Sequence, residues 1–189
     1  MLCKRLSLAA LLVAASEAAL ASPSTGTIQF KGVLKGTTCT VSVNGSGATD
    51  LSISLWSIPS LLLAQPGESG QAASFYIHLE KCWGAATKAR VTLKGANGNT
   101  VTNGRLDNMA TVNPAKNVQL EVRYVKDFGG WDSPFVDVGG DQSMIPYRDI
   151  TMDGWNPDSG RRFEIRYYAN GPVTEGKVQA ALEYTVEYQ

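Results

Sequence analysis

The stretch from Gly176 to Gln189 constrains this chain most: Val178, Ala180, Leu182, Tyr184, Val186 and Tyr188 all fall on even positions. Side chains of a β-strand alternate between its two faces, so this period of two predicts a strand with one apolar face. A strand at the extreme C-terminus has no later segment to pair with, so one of its edges is expected to stay open unless another chain covers it. The pattern points to assembly rather than to catalysis.

The N-terminus sets the expected compartment. Lys4 and Arg5 precede an apolar run from Leu6 to Ala15, and Ala19-Leu20-Ala21 has the small-x-small form of a signal-peptidase site. Cleavage is expected after Ala21, making residues 1–21 a signal peptide. The run is too short for a membrane span, and no later stretch has the roughly eighteen apolar residues that a span needs. An exported, soluble chain of about 168 residues is expected, enough for one domain with a real core. Cys3 lies before the apolar run and leaves with the signal, which leaves Cys39 and Cys82. In an exported chain these most simply form one disulfide, with two separate buried thiols as the alternative. Lys and Arg total 17, as do Asp and Glu, with no basic block or acidic tail, so nothing favours nucleic acid or a lipid surface as partner.

The rest of the chain reads as all-β. Short alternating segments are broken by Asn44-Gly45, Asn97-Gly98, Asn103-Gly104 and Asn170-Gly171, pairs that tolerate the positive φ of tight turns. Phe75, Ile77 and Leu79 share one face of a predicted strand, opposite Tyr76, His78 and Glu80. Val118, Leu120, Val122 and Tyr124 repeat the pattern, as do Phe163, Ile165 and Tyr167, and more briefly Val91 and Leu93. Strands at this spacing suggest an immunoglobulin-like β-sandwich. Ile58 to Ala64 is a compact apolar run suited to a short helical turn. Trp131 to Gly160 breaks the rhythm, mixing Trp131, Phe135, Met144, Ile145, Tyr147 and Trp155 with Gly, Asp and Pro, and reads as a long decorated loop or irregular hairpin.

The residues that carry chemistry are sparse. His78, the one histidine, sits on the outward face of its strand without a neighbouring cysteine or second histidine, so no metal site is expected. A Ser/His/Asp triad would need this same histidine, and no Gly-x-Ser-x-Gly elbow presents a serine. Asp127, Asp132, Asp137, Asp141, Asp149, Asp153 and Asp158 cluster around the irregular segment. Two of them at the right separation would suit glycoside hydrolysis, but aspartate is common in turns because it bonds nearby backbone amides. They lack the order of a calcium loop. No enzyme and no cofactor is expected.

The two ends carry a family resemblance. Gly26-Thr27-Ile28-Gln29-Phe30-Lys31-Gly32 leads to Cys39, and Phe75-Tyr76-Ile77-His78-Leu79 leads to Cys82. Arg166-Tyr167-Tyr168-Ala169 then precedes the terminal strand, in which Gly176 is the fourteenth residue from the end and Tyr188 the penultimate. In this order and spacing the chain resembles the chaperone–usher pilins and is similar to type 1 fimbrial subunits. Residues 129–160 do not follow the family pattern.

The resemblance implies an incomplete immunoglobulin-like sandwich (residues 33–189) lacking its final strand, completed by a donor strand from another subunit. It implies as partners a periplasmic chaperone, an outer-membrane usher and neighbouring pilin subunits, and as destination a fimbrium at the cell surface. The donor extension would be residues 22–32. Ser24, Gly26, Ile28 and Phe30 share the parity that faces the acceptor groove, with Gly26 at a shallow place and Ser24 where pilins often carry a larger apolar group. Gly176, Val178, Ala180, Leu182, Tyr184, Val186 and Tyr188 would form the strand that pairs with chaperone or subunit. A plain first strand or a loose tail is the alternative for the extension, and an ordinary edge strand for the C-terminus. The size leaves no room for a separate receptor-binding domain, so a shaft or adaptor subunit is expected. The competing class is a self-contained carbohydrate-binding sandwich in which Trp131, Tyr147 and Trp155 stack on sugar rings.

Overall fold

The computed structural model describes residues 36–126, 133–150 and 161–189. The chain divides into two compact units, Met1–Val33 and Leu34–Gln189, and the first lies outside the described residues, with the expected signal peptide and the donor residues Ser24, Gly26, Ile28 and Phe30. Among the described residues nine strands follow in order: β1 (Thr37–Val43), β2 (Ser69–Gly84), β3 (Lys88–Gly95), β4 (Val101–Thr102), β5 (Arg105–Asp107), β6 (Val118–Tyr124), β7 (Arg148–Asp149), β8 (Arg161–Ala169) and β9 (Leu182–Tyr188). A 3₁₀ turn at Ser60–Leu63 fills the apolar run before β2. The described residues contain no α-helix.

All named pairings are antiparallel. One sheet has the order β1-β2-β8-β6-β5-β4 and the other β7-β3-β9. The two inner faces share a core of Phe75, Ile77, Val91, Leu93, Leu106, Leu120, Val122, Tyr124 and Phe163. Apart from Leu106, these are inward positions that the alternation predicts. Phe163 stacks on Phe75 with centroids 5.3 Å apart and lies tilted against Tyr124 at 5.7 Å. Together they make an immunoglobulin-like sandwich.

Three of the four Asn-Gly pairs turn as expected, with both residues at positive φ: Asn44-Gly45, Asn97-Gly98 and Asn103-Gly104. The last joins β4 to β5 as a two-residue hairpin, Thr102 facing Arg105. Asn170-Gly171 departs from the expectation and keeps negative φ. There the Asn170 N–H donates to the Asn117 carbonyl, so the chain leaves β8 held by β6's flank instead of by a tight turn.

Simple alternation from Phe75, Ile77 and Leu79 would send Cys82 outward. Instead Lys81 adopts φ +48°, and the β1 register slips between Thr38 and Thr40. This bulge reverses the parity of β2. Cys82 thereby turns inward, is 2% exposed, and forms the disulfide with Cys39.

The segment read as a decorated loop is, over residues 133–150, part of the core. Val136, Val138 and Ile145 are wholly buried in it. Isolated backbone bonds hold it in place: Tyr124 N–H to Pro134, Val136 N–H to Val122, Val138 N–H to Gly104, and Gly139 N–H to Leu93. Gln142 completes the arrangement, accepting from Leu93 N–H at 2.7 Å and donating to its carbonyl at 2.6 Å. A side-chain amide thus does for β3 what a neighbouring strand would do. Phe135 lies under the Arg105 guanidinium at 4.5 Å.

Buried charge is placed with equal economy. Glu121, fully buried, takes Arg105 and Arg123 on its two oxygens, each at 2.7 Å. Arg161, also fully buried on β8, donates to the Ala89 carbonyl of β3 at 2.7 Å and so ties the two sheets together. Burial lowers its pKa to about 10, which leaves it charged at neutral pH.

Candidate subunit interface: the open edge of the sandwich

β9 lies at the edge of its sheet. Lys88 and Gln189 exchange both backbone bonds, which makes them a hydrogen-bonded pair. From that pair the antiparallel ladder alternates, so odd positions of β9 turn their N–H and C=O toward β3 and even positions turn theirs away. The same parity continues upstream without a strand. Ala181 accepts from Ala96 N–H and donates to the Asn99 side chain, while Gln179 accepts from Met109 N–H and donates to the Asn108 side chain. Lys177 donates to the Asn113 carbonyl and accepts from Ala115 N–H. The outward edge, from Val178 to Tyr188, is paired with no strand among the described residues.

The side chains of those even residues face inward. Val178, Ala180, Leu182, Tyr184 and Val186 pack on the main core, and Tyr188 on a smaller cluster with Cys82, Leu79 and Ala89, yet all six are only partly buried. An inward-facing apolar row that keeps partial exposure is an unfinished core. The parity and apolar face read from the sequence recur in the structure, but the strand is Leu182–Tyr188 and not the whole of Gly176–Gln189, because loop backbone and asparagine side chains take the place of a partner strand upstream.

A second wall faces this edge. Residues 49–58 form no strand and make no backbone–backbone hydrogen bond among the described residues. Leu51 is 45% and Ile53 37% exposed, while Leu55 packs partly against the main core. The Tyr184 hydroxyl donates to the Thr49 carbonyl at 3.1 Å, and the Tyr167 hydroxyl to the Trp56 carbonyl at 3.2 Å. At the far end Cys39 N–H donates to the Tyr188 hydroxyl at 3.2 Å, joining β1 to the end of β9. Sequence reasoning missed this wall, although Leu51-Ser52-Ile53-Ser54-Leu55 carries a period of two.

Gly176 has a geometric reason. Its φ is +152°, and a Cβ there would stand 2.4 Å from Ala115 N and 2.6 Å from Pro114 C. Backbone passes so close that no side chain fits, and the glycine lets the chain turn into the β9 edge. Gly176→Ala is expected to cost about 1–3 kcal/mol, read as a lowered midpoint in thermal unfolding; an unchanged midpoint would show that residues 113–115 give way freely.

Of the aromatics proposed for sugar stacking, Trp131 and Trp155 lie outside the described residues. Tyr147 is engaged: its hydroxyl meets Glu187 Oε2 at 3.2 Å and the Arg90 guanidinium lies 4.9 Å over its ring. The nearby cleft of about 390 Å³ has Arg90, Thr92, Asp141, Ser143, Thr185 and Glu187 in its lining. The hydrogen bond from Arg90, with help from Tyr147 and Thr92, lowers the Glu187 pKa, and the Ser143 backbone N–H lowers that of Asp141. Both carboxyls are thus held ionised, the reverse of what a general acid needs. His78 stacks on Tyr76 on the outer face, centroids 5.8 Å apart. Among the described residues no cluster of His, Cys, Asp or Glu is arranged to hold a metal, and no helix is long and apolar enough to cross a membrane.

Among the described residues, then, the antiparallel sandwich has an unpaired β9 edge above a row of apolar side chains that are only partly buried. The profile of the fimbrial protein family matches residues 28–189, and the chain belongs to that family. It is 30% identical over 172 residues to the major fimbrial subunit SMF-1 of Stenotrophomonas maltophilia (strain K279a), covering 89% of this chain and 95% of that protein. It is 29% identical to the type-1 fimbrial protein A chain of Escherichia coli (strain K12), covering 92% and 91%. The solved P pilus rod subunit PapA superposes with a TM-score of 0.50 at 16% identity, covering 86% of this chain and all of that one, a likeness of fold. The protein is a pilus subunit, a structural pilin and not an enzyme, and it associates with other pilin subunits.

Proposed function

We propose that this chain polymerises by donor-strand exchange. Residues 22–32 of one subunit lie along the even-numbered edge of β9 in the next, between that edge and residues 49–58. The observation that carries this is the outward backbone of Val178 to Tyr188 above side chains that are inward yet partly exposed. An added strand supplies backbone bonds to the edge and side chains to the core, which is how strand addition gains affinity and selectivity. Ile28 and Phe30 would enter the core, each contributing very roughly 1.5–3 kcal/mol, and Gly26 would cross a shallow place. Because each subunit donates at one end and accepts at the other, the contact does not close on itself and yields a fibre.

The same edge, before assembly, is an aggregation hazard. A periplasmic chaperone strand is therefore its proposed first occupant, replaced at an outer-membrane usher. Residues 1–21 would direct export and be removed after Ala21. The fibre's proposed place is the cell surface, where it would contribute to adhesion.

The test is the exported chain lacking residues 22–32, mixed with a peptide of that segment. At a peptide concentration about 100 times its Kd, linkage adds about 2.7 kcal/mol. That amounts to a rise of roughly 5–10 °C in thermal midpoint for a domain of this size. Peptides carrying Ile28→Asp or Phe30→Asp are expected to give no rise. A shortened protein that is stable and indifferent to the wild-type peptide would rule out donor-strand exchange.

A further inference from the structure

We infer that Tyr184 and Tyr167 are positioning residues for the incoming strand, holding residues 49–58 in place as the second wall of the groove before that strand arrives; this rests on the donor-strand reading above. The segment is bounded by local backbone bonds on both sides, Val43 N–H to Ala48 and Leu62 N–H to Pro59. Between them no backbone–backbone hydrogen bond is made among the described residues. The stretch nonetheless presents Leu51, Ile53 and Trp56 at 45%, 37% and 64% exposure. A solvent-facing stretch with so little of its own bonding belongs to the least stable parts of a fold.

Two phenols supply what the backbone lacks. Tyr184 reaches out from the inner face of β9 and Tyr167 from the inner face of β8, so the tethers come from different sheets. They bond carbonyls near opposite ends of the segment, Thr49 and Trp56. Both rings pack against the main core, which fixes where the hydroxyls can stand. Burial raises both pKa values above the ordinary phenol value, with Asp50 adding to the effect at Tyr184, so both groups remain donors at neutral pH.

The consequence is preorganisation. A wall already set spares the incoming strand the entropy of ordering it, and binding gains by what is not lost. Removing one hydroxyl is expected to slow strand uptake about three- to tenfold, the range set by the net worth of one hydrogen bond. Removing both is expected to do more.

The full exported chain tests this with Tyr184→Phe, Tyr167→Phe and the double variant, each keeping the packed ring. Tyr76→Phe, on the outer face, is the control. Two quantities are read: the rate of proteolytic cleavage within residues 49–58, and the rate of uptake of a labelled peptide of residues 22–32. Faster cleavage confined to 49–58 together with slower uptake, at thermal midpoints matching the control, is the expected result. Wild-type uptake rates in both single variants, or slower uptake with unchanged cleavage, overturn the tether role and leave donor-strand exchange standing. Wild-type protein that stays monomeric and takes up no peptide overturns the donor-strand reading and this inference with it.

Discussion

Phe163→Ala is expected to lower the unfolding free energy by about 3–5 kcal/mol, the usual cost of removing a wholly buried phenylalanine. Phe163 is 0% exposed and stands between Phe75 and Tyr124, where the two inner faces of the sandwich meet. Its neighbours lie on β2 and β6, which are pinned by pairing with β8 itself. They cannot close the space without disturbing that register, so a cavity remains. Against a total stability of about 5–15 kcal/mol the loss is large. Denaturant midpoints of wild type, Phe163→Leu and Phe163→Ala would show it, with the leucine variant losing much the least. An alanine variant within 1 kcal/mol or so of wild type would mean that the site collapses.

The second large effect is expected from Cys39→Ser with Cys82→Ser. The disulfide closes a loop with a sequence separation of 43, which in the chain-entropy model corresponds to about 4 kcal/mol. Its position adds a local reason. Cys82 is buried beside Leu79 and Ala89, and the bulge at Lys81 that turns it inward lies between β1 and β2. Cys39 N–H also holds the Tyr188 hydroxyl, so loosening β1 frees the far end of β9. Poor accumulation of the double serine variant in the periplasm, and a lowered midpoint for what is recovered, are expected. A variant as stable as wild type would show that β1 is held by its ladder alone.

These two predictions draw on different amounts of sequence information. Phe163 was legible as an inward residue from Phe163, Ile165 and Tyr167. So were Phe75, Ile77, Val91, Leu93 and the row from Val118 to Tyr124, because a strand with one buried face writes its period into the sequence. The same rule made the terminal strand readable, parity included. The same alternation is present at Leu51, Ile53 and Leu55, but it is too short to stand out from the loops around it. By contrast Val136, Val138 and Ile145 reach the core from a segment held by isolated bonds to β6, β3 and the β4–β5 turn. Such a path has no period, so it resembled a decorated loop.

By itself, then, the amino-acid sequence determined an all-β chain, its principal inward faces, the Cys39 and Cys82 pair, and the parity and apolar face of the strand near Gln189. Local alternation and composition carry all of these. Only the tertiary structure decided that Glu121 is buried between two arginines, that Gln142 stands in for a strand beside β3, and that Gly176 is needed where backbone passes backbone. It alone set Tyr184 and Tyr167 against the 49–58 wall, across separations of 135 and 111 residues. Contacts of that range depend on where the chain crosses itself, and no local pattern records a crossing.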